Sequence, residues 1–223
     1  MTLLLESPSV SLKTLLQSPR LRLYANEIDD LLAEEDKKRK QFYEKINEDD
    51  KAEFINGEIV MHSPVKLWHG VVCNHLFGLL MPYVAKHALG YVGYEKITVS
   101  LTRNDYQPDV WYFRKEVADQ FAPNQMLFPA PDLVVEVSSP STKHRDRGVK
   151  FDDYAAHGVM EYWMIEPEDQ IVEQYLLDGD VYQLQFKASN GVVNSMAVEG
   201  FNIPVAALFD QNVYFETLQT LIS

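Results

Sequence analysis

The run Asp132-Leu133-Val134-Val135-Glu136-Val137-Ser138 is apolar enough to be a central β-strand, yet it carries an acid in its middle. A buried, ionised carboxylate without a partner costs on the order of several kcal/mol. Glu136 therefore needs a metal, a cation or a proton; the plainer alternative is a Glu paired with an Arg at a sheet edge. Side chains alternate along a strand, which puts Asp132, Val134, Glu136 and Ser138 on one face. Directly downstream lies Ser141-Thr142-Lys143-His144-Arg145-Asp146-Arg147-Gly148-Val149-Lys150, a dense basic stretch in an acidic protein. Upstream, Gln107-Pro108-Asp109-Val110-Trp111-Tyr112-Phe113 opens an aromatic strand on an acid directly after a proline.

The rest of the chain is read around these three stretches. His144 to His157 reads as a helix closed by Gly158, a good residue after a helix end. Glu161 to Glu166 and Ile171 to Leu177 read as strands. Asp178-Gly179 is a hairpin turn with Val181 to Phe186 returning, and a last strand lies near Val192 to Val198, followed by short helical pieces. Before the central strand, Tyr91 to Leu101 and Asp109 to Phe113 are strands, and Phe121 to Pro131, with three prolines, is a loop. Leu67 to Lys86 has helical spacing, with Pro82 expected to bend or end it. Asn56-Gly57 sits between two apolar-bearing runs and marks a type I′ hairpin. Asn26 to Asn47 reads as a helix capped by Asn26, its acid-then-base middle expected on a solvated face. Ser7-Pro8 and Ser18-Pro19 break any helix in residues 1–20, leaving an adaptable arm. The order is that of an α/β or α+β fold with a mixed sheet. The expected division is an N-terminal arm and helix over 1–50 and one domain over 51–223.

Composition bounds the chemistry. The chain has 223 residues, 46% hydrophobic and 24% charged, which is globular composition. One cysteine excludes a disulfide scaffold and a four-cysteine zinc site. No apolar run approaches the roughly 20 residues of a membrane span. Met1-Thr2-Leu3-Leu4-Leu5-Glu6 lacks the basic segment of a signal peptide, so a cytoplasmic protein with no membrane partner is expected. Lys and Arg number 20 against 33 Asp and Glu, a net charge of −13, which argues against a plain coat of a phosphate backbone. It leaves room for an enzyme that meets a phosphodiester through bound metal and a local basic patch.

No phosphate-binding glycine loop, dinucleotide fingerprint, zinc-protease motif or serine elbow is present. What remains is carboxylates on apolar strands. Asp109 and Glu136, from adjacent strands, are expected to converge on a divalent cation, with Lys150 beside them to orient or deprotonate a water. Oxygen ligands suit Mg²⁺ (or Mn²⁺). Lys143, Arg145 and Arg147 are the expected nucleic-acid contacts. Glu58, after the hairpin turn, is a further acid for the metal, and His69, near the start of the covering helix, an auxiliary group. Cys73, Trp111 and Trp163 sit among apolar neighbours and read as packing, and Asp132 as a strand-start acid.

Pro108-Asp109, Glu136 and Lys150 resemble the motif of the PD-(D/E)XK nucleases. More narrowly, the chain resembles the Uma family (the "Uma two" group) of bacterial endonucleases over roughly residues 50–210. Phe54-Ile55-Asn56-Gly57-Glu58-Ile59, Gln107-Pro108-Asp109-Val110, Pro131 to Thr142 and Asp146-Arg147-Gly148-Val149-Lys150 carry the likeness. Tyr154 to Trp163 and Gly200-Phe201-Asn202-Ile203-Pro204 continue it. The resemblance implies a restriction-endonuclease-like core, a central mixed β-sheet flanked by helices, here with an N-terminal helical extension. It also implies metal-dependent hydrolysis of DNA, with Asp109 and Glu136 as its two acids. The lysine expected two residues after Glu136 is replaced by Ser138, and Lys150 is the substitute. A catalytically inactive nucleic-acid-binding or assembly module on the same fold is the alternative, and a phosphodiesterase of small molecules a third. Cutting two strands suggests a homodimer, with the Asp178-Gly179 hairpin as its contact.

Overall fold

Residues 12–47 and 50–223 are described by the computed structural model, so the first part of the expected N-terminal arm lies outside the described residues. Two helices come first, α1 (Leu12–Leu16), a short helix in the arm expected to hold none, which forms because Ser18-Pro19 lies beyond its end, and α2 (Leu21–Lys45), followed by a hairpin of β1 (Ala52–Ile55) and β2 (Glu58–Met61) and the long α3 (Leu67–His87). Then come β3 (Gly90–Tyr94), β4 (Thr98–Ser100), β5 (Asp105–Tyr106), β6 (Val110–Arg114), α4 (Lys115–Ala118), β7 (Leu127–Phe128) and β8 (Leu133–Val137). The remainder is α5 (Lys143–Asp146), α6 (Val149–Ala156), β9 (Glu161–Glu166), β10 (Ile171–Asp178), β11 (Val181–Ala188), β12 (Val192–Asn194), β13 (Asn202–Pro204), a 3-10 turn (Val205–Leu208) and α7 (Gln211–Ile222).

The strand of Glu136 is central, as its apolar run requires. A six-stranded sheet has the order β11-β10-β9-β8-β6-β3, with β8 parallel to β9 and antiparallel to β6. All five residues of β8 are buried. Leu133, Val135 and Val137 face a core with α3 and α7, while Val134 faces a second core with Tyr154 of α6 and Val99 and Tyr106 of the smaller sheet β2-β1-β5-β4-β7. Each such aliphatic side chain contributes about 1.5–3 kcal/mol on burial. The result is a mixed sheet flanked by helices.

Several boundaries move for physical reasons. The run Tyr91 to Leu101 is two strands in two sheets, because Glu95 (φ 51°) and Lys96 (φ 49°) turn the chain through the left-handed region between them. Pro82 stays inside α3 and ends nothing. The helix expected from Asn26 begins at Leu21, so Asn26 lies inside it and caps nothing. Its charged middle is only partly solvated. Glu35 is buried and takes Arg103, while Arg39 grips Asp105 through both carboxylate oxygens at 2.6 and 2.7 Å. Phe42 packs on Phe54, and these contacts dock the second half of α2 on β1 and β5. Asn56 (φ 50°) and Gly57 (φ 81°) make the expected hairpin turn. The helix expected over His144 to His157 is broken at Arg147-Gly148 into α5 and α6. A Cβ on Gly148 would lie 2.9 Å from the His144 carbonyl oxygen, so the kink that re-aims α6 needs a glycine. Among the described residues, no helix is long and apolar enough to cross a membrane.

Candidate functional site

A cavity of about 600 Å³ opens at the carboxyl end of β8. Asp109, Glu136 and Lys150 all line it, together with Lys51, His62, His69, Arg145 and Asp146. The route from sequence to this meeting is short. The β6–β8 register pairs Val110 with Val135, so Asp109 stands one step beyond, beside Glu136. The Val137 amide donates to Asp109 Oδ2 at 2.9 Å and fixes the carboxylate there. The kink at Gly148 turns α6 so that Lys150 Nζ reaches Glu136 Oε1 at 3.1 Å.

Lys150 is 2% exposed and meets three carboxylates: Glu53 at 2.7 Å, Glu136 at 3.1 Å and Asp146 at 3.7 Å. Burial alone would lower its pKa, but the three acids outweigh this and hold it well above the usual lysine range. Asp109 has other partners. Its Oδ1 lies 3.3 Å from Lys51 Nζ, and its Oδ2 lies 3.1 Å from His69 Nε2. No direct contact joins Lys150 to Asp109 among the described residues.

The four acids differ in kind. Burial raises the pKa of each, but Lys150 and His62 bring Glu53 down to about 2, and His69 and Lys51 bring Asp109 down to about 2. Glu136 goes the other way: burial, with Asp146, Asp109 and Glu53 as like-charged neighbours, outweighs Lys150 and raises it well above the carboxylate range. Burial raises Asp146 too. Glu53 and Asp109 each have an imidazole beside their ammonium, whereas Glu136 and Asp146 share Lys150 as their one cation within 4 Å among the described residues. Asp146 Oδ1 and Ser138 Oγ are also buried without a hydrogen-bond partner. An acceptor-rich pocket short of positive charge fits a hard divalent cation. His69, Cys73 and Asp109 also bring one ligand atom each within 4.8 Å of one another. Burial pushes the Cys73 thiol up, which disfavours the thiolate and leaves oxygens and an imidazole as the donors.

Glu161 offers the contrast. It too is a fully buried acid on an apolar strand. Five neutral groups donate to it, from Trp163, Gln174, Ser195, Met196 and Ala197, at 2.5–2.9 Å. That satisfies a carboxylate with no cation at all. Glu136 accepts only from Lys150 among the described residues. The difference separates a structural acid from an available one.

Some sequence expectations do not reach the cavity. Glu58 is exposed on β2; the acid the hairpin contributes is Glu53 of β1, fully buried behind the cavity lining on Lys150 at 2.7 Å. An acid in an apolar run was the signal for Glu136, and Ala52-Glu53-Phe54-Ile55 carries the same signal. Asp146 was legible too, four residues before Lys150. Arg147 lies outside the cavity, held by Glu166 at 2.8 Å and Glu173 at 2.9 Å, and Lys143 is held by Glu166 at 2.9 Å. These two cations are tied into a network with Lys187 and do not form an open basic wall. Arg145 lines the cavity and has no carboxylate partner among the described residues, its Nε buried and without a hydrogen bond. Asp132 accepts from the Arg114 amide at 2.8 Å at the strand start, and Cys73, Trp111 and Trp163 are buried packing.

Glu173 gives a prediction free of the cavity. Burial would raise its pKa, but Arg147, Lys187 and Tyr175 bring it to about 2. Glu173→Gln should cost about 1.5–3 kcal/mol at neutral pH, the worth of hydrogen bonds to a charged group. A depressed folded-state pKa gives stability that is full above the ordinary value of 4.5 and is lost as pH falls toward about 2. Denaturant midpoints of variant and wild type should therefore converge over that window, and a constant gap would refute the assignment.

A family model described as "Putative restriction endonuclease", Uma2, matches residues 39–206. A solved structure described as a "putative nuclease belonging to DUF820 from Anabaena variabilis" superposes with a TM-score of 0.66 at 17% identity, over 78% of this chain and 96% of that one. The type IIG restriction endonuclease BpuSI gives a TM-score of 0.36 at 13% identity, over 73% of this chain and 18% of that one. A comparison with curated proteins gives no match. The fold is thus restriction-endonuclease-like, and since the family match spans most of the sequence, this chain belongs to the Uma2 family.

Proposed function

We propose that this chain is a divalent-metal-dependent endonuclease that hydrolyses phosphodiester bonds in DNA. The observation that carries the reading is one cavity lined by Asp109, Glu136 and Lys150, in which Glu136 and Asp146 share Lys150 as their one cation within 4 Å among the described residues. Asp109 and Glu136 would hold the cation, Mg²⁺ (or Mn²⁺), with Asp146 beside them. When bound, such a cation lowers the pKa of water and neutralises charge on a phosphoryl oxygen. The chain's own residues divide the remaining work. Lys150 stays protonated at neutral pH, because three acids surround it, so it orients a nucleophile or a phosphate oxygen and is not a base. Burial raises the proton affinity of Glu136 without metal, so binding the cation there would displace a proton. His69 holds the orientation of Asp109. Arg145 supplies an unpaired cation for phosphate.

One observation favours the alternative of an inactive module on the same fold: both oxygens of Asp109 are already engaged, one of them by Lys51. Nicking of supercoiled DNA separates the two. Conversion to the relaxed form in Mg²⁺ or Mn²⁺, abolished by chelator, is the expected result. No conversion with either ion, by protein that binds DNA, selects the inactive module.

A further inference from the structure

Resting on the nuclease reading of the same cavity, we infer that Trp68 is a stacking platform for an unpaired base, so that the preferred substrate is single-stranded DNA or a frayed end and not a continuous duplex. Trp68 lies in the first turn of α3, lines the cavity and is 45% exposed, whereas Trp111 and Trp163 are buried. Val65 and Met61, also exposed, extend the same apolar rim. A large aromatic left open to water at the mouth of a polar cavity marks a binding surface more than a packing residue.

Electrostatics points the same way. A duplex carries one negative charge per about 1.7 Å, and proteins that hold it by its backbone supply matching cations. This chain has a net charge of −13, and Lys143 and Lys66 at the cavity are ion-paired with Glu166 and Glu168. Arg145 alone offers an unpaired guanidinium there among the described residues. Few cations stand ready for phosphate there, so contact with bases has to add to the affinity. Stacking needs an exposed base face, which a paired duplex hides within its own stack. The cavity, about 600 Å³, falls within the range of about 300–1,000 Å³ that encloses small molecules, which suits one splayed nucleotide.

Lys66 completes the arrangement. Its ammonium lies 4.9 Å from the Trp68 ring centroid and 3.0 Å from Glu168, which also lines the cavity. Both members of that pair are exposed, so the bridge is weak and a phosphate can replace Glu168. An arriving strand then gains Lys66 as a cation and Trp68 as a stacking face in one step.

The test is intrinsic tryptophan fluorescence of the full chain with a short oligothymidine, in chelator and in Ca²⁺, against a blunt duplex of equal length. The single strand should quench in at least one medium, and the duplex should not. For the variants, which lack the reporting indole, binding is read by anisotropy of dye-labelled oligothymidine and duplex: Trp68→Ala should weaken single-strand binding roughly 5- to 140-fold, the equivalent of about 1–3 kcal/mol per stacked base, and leave duplex binding unchanged. Trp68→Phe should restore most of it, which a merely structural role would not predict for an exposed site. Absence of quenching in both media, or equal loss for single strand and duplex, overturns the inference. The two readings fail separately. Stacking without nicking leaves this inference and removes the nuclease, while nicking of duplex unaffected by Trp68→Ala leaves the nuclease and removes this inference.

Discussion

Lys150→Met should destabilise the protein by about 3–5 kcal/mol at neutral pH, the usual cost of removing one partner from a buried ion pair. The side chain is 2% exposed and is the only cation within 4 Å of Glu136 among the described residues. Methionine fills much of the volume, so the loss is electrostatic and not a cavity. Glu53, Glu136 and Asp146 would then face one another without Lys150, and they relieve this only by taking up protons. The deficit should accordingly shrink as pH is lowered toward 5, because protonated acids need no counter-ion. The double variant Lys150→Met/Glu136→Gln should recover part of the loss, since the pair shares one interaction. Denaturant unfolding at two pH values measures all three. A pH-independent deficit, or strict additivity in the double variant, would show that Lys150 acts by packing alone.

The second large effect separates the two acids of the proposed metal site. Glu136→Gln and Asp109→Asn should each lower nicking at least about a hundredfold, because several kcal/mol of charge stabilisation are lost and 1.36 kcal/mol is tenfold in rate. Their stabilities in chelator should move in opposite directions. Glu136 is held above the carboxylate range, so its charge is a liability without metal, and the neutral glutamine should leave the protein as stable as the wild type or more so. Asp109 is held at about 2 by His69, Lys51 and the Val137 amide, so asparagine loses those contacts and destabilises. Adding Mn²⁺ should raise the melting temperature of the wild type and of neither variant, since binding to the folded state stabilises by mass action. Glu136→Gln that melts below wild type in chelator, or that still nicks, contradicts the role given to this acid.

The contrast between Glu136 and Glu161 marks how far sequence reasoning carries. Both are acids in apolar strands, and both lie buried. Only the surroundings tell them apart, because the donors to Glu161 come from β9, β10 and the segment after β12. Lys150 shows the same boundary from the other side. Its place in the chain, after the strand of Glu136, made it a candidate, but whether it reaches the acid depends on the break at Gly148. The basic stretch from Lys143 reads as one surface in the sequence, yet Arg147 and Lys143 are tied into a network with Glu166 and Glu173, and in the cavity Arg145 has no carboxylate partner among the described residues. Glu53 and Trp68 were visible in the sequence, the first as another acid in an apolar run and the second as a third tryptophan.

Local pattern, by itself, determined the mixed sheet, the central strand with its acid and the Asn56-Gly57 hairpin, because period and turn chemistry are properties of neighbouring residues. Tertiary structure alone decided which cations meet which carboxylates, that Glu53 and not Glu58 joins the site, and that Trp68 stands open at its mouth. The physical reason is range. An ion pair or a burial is set by groups distant in the chain brought within about 4 Å, and at that distance the balance of desolvation against Coulomb attraction has no expression in sequence order.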